Sequence, residues 1–258
     1  MGRVIAVANQ KGGVGKTTTV MNLGAALAEH QQRTLLIDLD PQAALSNSFG
    51  LQPDMLEHTI YSVLTRPDIP LAITIRSVRP FLHMVPANID LAAAEVELVS
   101  AIRREYVLKD ALESIRHRYD FVLLDCGPSL GLLTVNAFTA ADEVLIPITC
   151  EFLAMRAMGT LMQIVSRVKK RLNPGLRVLG ILGTMYDQRT IHTREMLEEL
   201  RTFFGDKVFD VVIKKSIRFA EAPAVHQPIL EYARTHPGAE AYRHLAEVII
   251  HGKQKQQG

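Results

Sequence analysis

The sequence predicts an α/β fold, a doubly wound and mostly parallel sheet with helices on both faces, and three observations carry that prediction. Short runs such as Thr34–Ile37 and Phe121–Leu124 are apolar at successive positions, with no polar face. Such runs alternate with stretches of helical period along the chain, the order expected when parallel strands are buried between helices. The first run leads into a glycine-rich turn, Gly12-Gly13-Val14-Gly15, and then Lys16-Thr17-Thr18 opens a helix. Strand, glycine turn and helix in that order is an anion-binding unit, because backbone N–H groups and the helix N-terminus point at one spot.

The expected strands are Arg3–Ala8, Thr34–Ile37, Phe121–Leu124, Val144–Ile148, Val178–Thr184 and Val208–Ile213, with a helix over Thr17–His30 after the glycine turn. Residues 50–80 contain Pro53, Pro67, Pro70 and Pro80 and read as surface helices and loops. A last helix, about Gly238–Ile250, places Tyr242, Leu245 and Ile249 on one stripe, and the polar residues 252–258 read as a frayed tail. No repeat, linker or low-complexity stretch divides the chain, so one domain over residues 1–258 is expected.

Composition narrows the classes. Hydrophobic residues are 48% and charged residues 22% of the 258, the balance of a globular protein with a sizeable core. No apolar run approaches the roughly 20 residues that cross a bilayer. The start shows no secretory signal pattern, and two cysteines, Cys126 and Cys150, make no disulfide framework. A cytoplasmic location is the expectation. Charge is uneven: residues 1–160 carry 13 Lys and Arg against 17 Asp and Glu, whereas residues 161–258 carry 16 against 10. A basic half of this kind marks either a polyanion-binding face or solvated helices.

The glycine turn departs from the common G-x-x-x-x-G-K-[ST] pattern. Gln10 stands where the first glycine belongs, and a second lysine, Lys11, precedes the glycine pair. Lys16 supplies a charge to β- and γ-phosphate oxygens, and Thr17 a hydroxyl to Mg²⁺. Two carboxylates follow strands: Asp40, with Asp38 close by, and Asp125. In an open α/β sheet the carboxyl ends of strands face the ligand. Both positions also suit a helix N-cap or a turn.

The segment Asn9–Thr18 resembles the deviant Walker A motif of the ParA/MinD ATPases. The resemblance extends over nearly the whole chain, through Leu35-Leu36-Ile37-Asp38-Leu39-Asp40-Pro41-Gln42, Phe121–Ser129 and Glu221-Ala222-Pro223. It is nearest to the short ParA (Soj-type) partitioning proteins. The resemblance implies ATP and Mg²⁺ as cofactors, with Lys11, Gly12, Gly13, Val14, Gly15, Lys16, Thr17 and Thr18 around the phosphates. It implies that Lys11 reaches the partner's phosphates in an ATP-sandwich homodimer. It further implies that Asp40 orients the attacking water and that Thr17, Asp40 and Asp125 serve the metal. Adenine contacts are expected at Lys214 and Ser216, where the family commonly has Pro and Asn. Gly127 replaces a usual Pro, and Gln42-Ala43-Ala44 a usual Gln-Gly-Asn.

By the same resemblance, Arg189 and Arg218 match arginines that contact DNA. Lys215 joins them, and Lys214, Arg194, Lys169, Lys170 and Arg171 are candidates to extend the patch. Only eight residues precede the loop, so no helix-turn-helix is expected there, and non-specific duplex DNA is the expected polyanion. The implied activity is slow ATP hydrolysis, stimulated by a ParB-like centromere-binding partner and coupled to nucleoid association. Three rivals stay open: a MinD-like membrane-cycling ATPase, an iron–sulfur ATPase using Cys126 or Cys150, and a ParA-like ATPase that positions a protein cargo. The chain's last residues, His251–Gly258, show no apolar anchor, so no membrane partner is expected.

Overall fold

Successive side chains of the central strands enter opposite cores, as a pleated strand covered on both faces requires. Val4 and Ala6 point into one core, Ile5 and Val7 into the other. The computed structural model describes residues 2–150 and 154–252; the tail residues 253–258 lie outside them. Its strands are β1 (Arg3–Val7), β2 (Thr34–Leu39), β3 (Arg76–Arg79), β4 (Leu82–Val85), β5 (Phe121–Cys126), β6 (Glu143–Thr149), β7 (Arg177–Tyr186) and β8 (Val208–Lys214). They form one sheet in the order β3-β4-β2-β5-β1-β6-β7-β8. Every neighbouring pair is parallel except β3 with β4. The doubly wound, mostly parallel sheet expected from the sequence is present.

The helices are α1 (Lys16–Glu29), α2 (Ala44–Ser48), α3 (Ile60–Thr65), α4 (Leu91–Glu97), α5 (Val107–Glu113), α6 (Leu132–Ala140), α7 (Ala154–Arg171), α8 (Ile191–Phe204), α9 (Arg218–Ala224), α10 (Ile229–Tyr232) and α11 (Pro237–His251). Helices α1, α10 and α11 bury apolar residues in the core of one face, and α3 to α8 in that of the other. The α11 stripe behaves as its spacing predicts: Tyr242, Leu245 and Ile249 are buried against α1 and β8. Burial of side chains this size is worth about 1.5–3 kcal/mol each. The Tyr242 hydroxyl lies 3.3 Å from that of Thr19, which satisfies both polar groups inside the core.

The reading of residues 50–80 as helices and loops is corrected at its end. Arg76–Arg79 is an edge strand, paired antiparallel with β4, and β4 itself pairs parallel with β2. Arg-Ser-Val-Arg lacks the apolar run of a covered strand because β3 lies at the sheet edge, where a polar face is tolerated.

Candidate nucleotide site and basic face

The site begins where β1 stops. β1 lies between β5 and β6, so its turn projects from the middle of the sheet. Gly13 and Gly15 have φ of 71° and 83°, the left-handed region that a side chain resists. A Cβ on Gly15 would meet only ordinary contacts, 3.8 Å from Thr184, so the backbone angle, and not crowding, makes glycine the fitting residue there. Two side chains hold the turn. Asn9, buried, donates from Nδ2 to the Pro147 carbonyl at 2.7 Å and accepts from the Lys11 N–H at 3.0 Å. Thr184 of β7 donates to the Val14 carbonyl at 2.9 Å. Neither tether was read from the sequence. Asn9 sat inside the motif, but Thr184 had no signal beyond its place at the end of an apolar run.

Lys16 is buried, 7% exposed, and its Nζ donates to the Lys11 carbonyl at 3.3 Å. Burial lowers its pKa, while the nearby Asp125, Cys126 and Asp40 pull it back up. The Lys11 side chain is half-exposed at the rim. Thr17 and Thr18 stand in the first turn of α1.

The strand register brings the carboxylates together. Asp38 of β2 and Val7 of β1 both align with Asp125 of β5. Asp125 is 1% exposed, and neither carboxylate oxygen receives a hydrogen bond of good geometry. Burial and then the Asp38 charge push its pKa well above the ordinary range, while Thr17 and Lys16 pull it down. Its alternative as an N-cap or turn former is therefore not realised. An unpaired buried carboxylate beside a threonine hydroxyl is a hard-oxygen donor set of the kind Mg²⁺ prefers. Asp38 is fully buried and satisfied instead: it accepts from the Ser46 N–H at 3.0 Å, the Ser46 hydroxyl at 2.7 Å and the Asp40 N–H at 3.1 Å. Its pKa is raised to about 6, chiefly by burial. Asp40 is half-exposed and accepts from the Gln42 N–H at 3.0 Å. It does not cap α2, whose cap position is Ala43 with φ of 52°.

A model of the AAA domain family matches residues 2–178. The chain is 45% identical to the chromosome partitioning protein ParA of Caulobacter vibrioides, over 96% of this chain and 94% of that one. It is 44% identical to the sporulation initiation inhibitor protein Soj of Bacillus subtilis, over 96% and 98%. The chain belongs to the ParA/Soj family. A solved structure of a Mycobacterium smegmatis protein named cobyrinic acid a,c-diamide synthase, with bound ADP and magnesium, superposes with a TM-score of 0.86. It is 41% identical over 97% of this chain and 94% of that one.

Against the ParA/Soj pattern, Gly127 faces Asp40: a Cβ there would lie 3.5 Å from the Asp40 carboxyl carbon. A Cβ at this position would therefore make only ordinary contacts with the carboxylate. The ParA-type basic face gathers at the carboxyl edge of β7 and β8. Tyr186 aligns with Lys214, and the Lys215 N–H donates to the Tyr186 carbonyl at 3.1 Å. This brings together Arg189 on the loop after β7, Lys214 at the end of β8, Lys215 just beyond it and Arg218 at the start of α9. The Arg189 side chain is 93% exposed and lies 3.6 Å from Asp187, whereas Arg218 pairs with Glu221 at 2.8 Å. Lys214 donates to the Gln188 side-chain oxygen at 3.2 Å, and Ser216 lies 3.2 Å from His236 Nε2.

Lys169, Lys170 and Arg171 do not extend this patch. α7 runs back from the carboxyl end of β6, so its last turn lies near the start of β7, at the opposite edge of the sheet. Cations there complement the helix C-terminus. Cys126 and Cys150 are 1% and 3% exposed, both buried. Among the described residues no helix is long and apolar enough to cross a membrane.

Proposed function

We propose that this chain is an ATP-driven DNA-partitioning switch of the ParA type, working in the cytoplasm and on the nucleoid when ATP-bound. The observation that carries the reading is the unpaired, buried Asp125 level with the phosphate loop, beside Lys16 and Thr17. The loop's N–H groups and Lys16 bind the ATP phosphates. Thr17 and Asp125 would hold Mg²⁺, with Asp40 near it, and the ion would neutralise charge developing on the phosphates. Asp40 holds the attacking water in line with the γ-phosphate. Its loop is fixed by the Asp38–Ser46 hydrogen bonds, so the carboxylate is positioned before the water arrives.

Lys11, at the exposed rim, reaches the phosphates of a second copy, so ATP joins two protomers. The backbone around Lys214 and Ser216 reads the adenine edge. Arg189, Lys215 and Arg218 bind duplex DNA without regard to sequence, because phosphate contacts carry no sequence information. Intrinsic hydrolysis is slow and a ParB-like centromere-binding protein stimulates it. The Mycobacterium smegmatis structure carries the name of an amide-forming synthase. The partitioning reading is preferred because relatives as similar are named for chromosome partition.

The test is DNA retention with ADP, ATP and a non-hydrolysable ATP analogue. DNA binding is expected with ATP and the analogue only. Equal retention with ADP, or fast hydrolysis indifferent to DNA and partner, would sink the reading.

A further inference from the structure

The imidazole of His236 joins two elements. Its Nδ1 accepts from the Gly238 N–H at 2.9 Å, which caps α11. Its Nε2 lies 3.2 Å from the hydroxyl oxygen of Ser216, on the loop between β8 and α9. Phe219 of α9 packs edge-on against the imidazole, with centroids 6.3 Å apart and planes at 87°. A Cβ on Gly238 would collide with that Phe219 ring, so glycine here lets ring and imidazole approach. Phe219 is also edge-on to Tyr242, which is buried in α11. Cap and ring together set the orientation of His236.

The cap also fixes where the proton sits. A ring nitrogen that accepts a hydrogen bond carries no proton, and an imidazole with one bare nitrogen has its N–H on the other. Nδ1 accepts from Gly238, so Nε2 carries the proton and donates to Ser216 Oγ. The same oxygen accepts from the Arg218 N–H at 3.2 Å. A hydroxyl has two lone pairs and one O–H. Both lone pairs are taken, and the O–H is what Ser216 has left to offer. Among the described residues that hydroxyl makes no further hydrogen bond.

We propose that His236 is a positioning residue for the nucleotide base: it makes the Ser216 hydroxyl a one-way donor, which an unprotonated ring nitrogen of adenine accepts. The proposal rests on the adenine reading of the Lys214–Ser216 loop above and adds to it a side-chain bond whose direction is set 20 residues further on. A free serine hydroxyl rotates and serves as donor or acceptor alike, so it selects little. Held as a donor, it favours a base that presents a bare nitrogen. The contact lies away from the reacting phosphates and is the same in ground and transition state. It therefore changes KM and leaves kcat alone.

The test separates the two nitrogens. His236→Asn keeps a cap acceptor for the Gly238 N–H and loses the donor to Ser216. His236→Gln reaches Ser216 with an amide N–H and loses the short cap. With Mg²⁺-ATP as the probe, His236→Asn and Ser216→Ala should each raise Kd and KM about fivefold, with the rate at saturation unchanged. Their combination should lose no more than either alone, since both remove one bond. His236→Gln should bind ATP like wild type and unfold at a lower urea concentration. Additive losses, or weak binding in His236→Gln with wild-type binding in His236→Asn, would leave His236 a helix cap only and overturn the proposal. Wild-type affinity in Ser216→Ala overturns it too while ATP binding stands, and this variant decides alone if the His236 variants fail to fold. Failure of wild type to bind ATP overturns the nucleotide reading and the proposal with it.

Discussion

The Thr184 hydroxyl donates to the Val14 carbonyl oxygen at 2.9 Å, binding the phosphate loop to a strand 170 residues further along the chain. Both residues are buried, so the carbonyl has no water to turn to if the hydroxyl is removed. A buried acceptor left unsatisfied costs about 1–3 kcal/mol. Thr184→Val keeps the shape and deletes the donor. Affinity for a fluorescent ATP analogue is expected to fall about fivefold or more. An unchanged Kd would mean that the loop is held without this bond.

Asp125 presents the opposite case, a charge kept where folding would prefer none. Its oxygens are buried and unpartnered, and Asp38 stands level with it on β2. Asp125→Asn removes the buried charge and the repulsion between the two. The ligand-free variant is expected to unfold at a higher urea concentration, on the order of 1 kcal/mol more stable. Its nucleotide affinity should depend less on Mg²⁺ than that of wild type, which weakens when EDTA removes the metal. A variant that is less stable, and responds to Mg²⁺ as strongly as wild type, would refute the assignment.

On the basic face the two arginines should not behave alike. Arg189 is almost fully exposed, while Arg218 is held by Glu221 at 2.8 Å and lies over the Tyr232 ring. For a fully engaged phosphate contact, the slope of log K against log salt changes by about 0.9. Arg189→Ala is expected to lower the slope by about that amount. Arg218→Ala should lower it less, because its guanidinium must first leave Glu221. Equal slopes for wild type and Arg189→Ala, from titrations of one duplex at several salt concentrations, would remove Arg189 from the interface.

Acid stability has a separate source, far from the site. Asp120 accepts from the Arg33 N–H at 2.8 Å and from its guanidinium at 3.1 and 3.2 Å, which lowers its pKa. A carboxylate with a depressed folded-state pKa contributes stability above its unfolded pKa and loses it as pH falls through the folded value. Asp120→Asn should therefore be less stable than wild type at pH 7, by less than about 1 kcal/mol because the pair is half-exposed. The difference should shrink as pH falls below the ordinary carboxylate range and vanish once Asp120 is protonated in the folded protein as well. Urea unfolding at neutral pH and in acid checks this; a gap that persists in acid would trace it to lost packing.

The sheet and the phosphate loop were legible in the residues alone because each is written in neighbours. Strands covered on both faces show unbroken apolar runs, as in Phe121–Leu124, and the loop's glycines and Lys16 sit within a few positions of one another. Asp40 and Asp125 stood out by their place after strands, and family resemblance then added their roles and the arginines. Tertiary structure decided the rest. Edge strand β3 has no apolar run because one side meets solvent, so its period was invisible. Lys169–Arg171 looked like part of the basic face until the direction of α7 placed them at the other edge. The Asp38–Ser46 and Thr184–Val14 bonds, and the meeting of Glu95 with the start of α6, join residues whose local sequence carries no mark of the contact. The physical reason is range: propensity and period act over a few residues, whereas hydrogen bonds between distant segments exist only once the sheet order has brought them together.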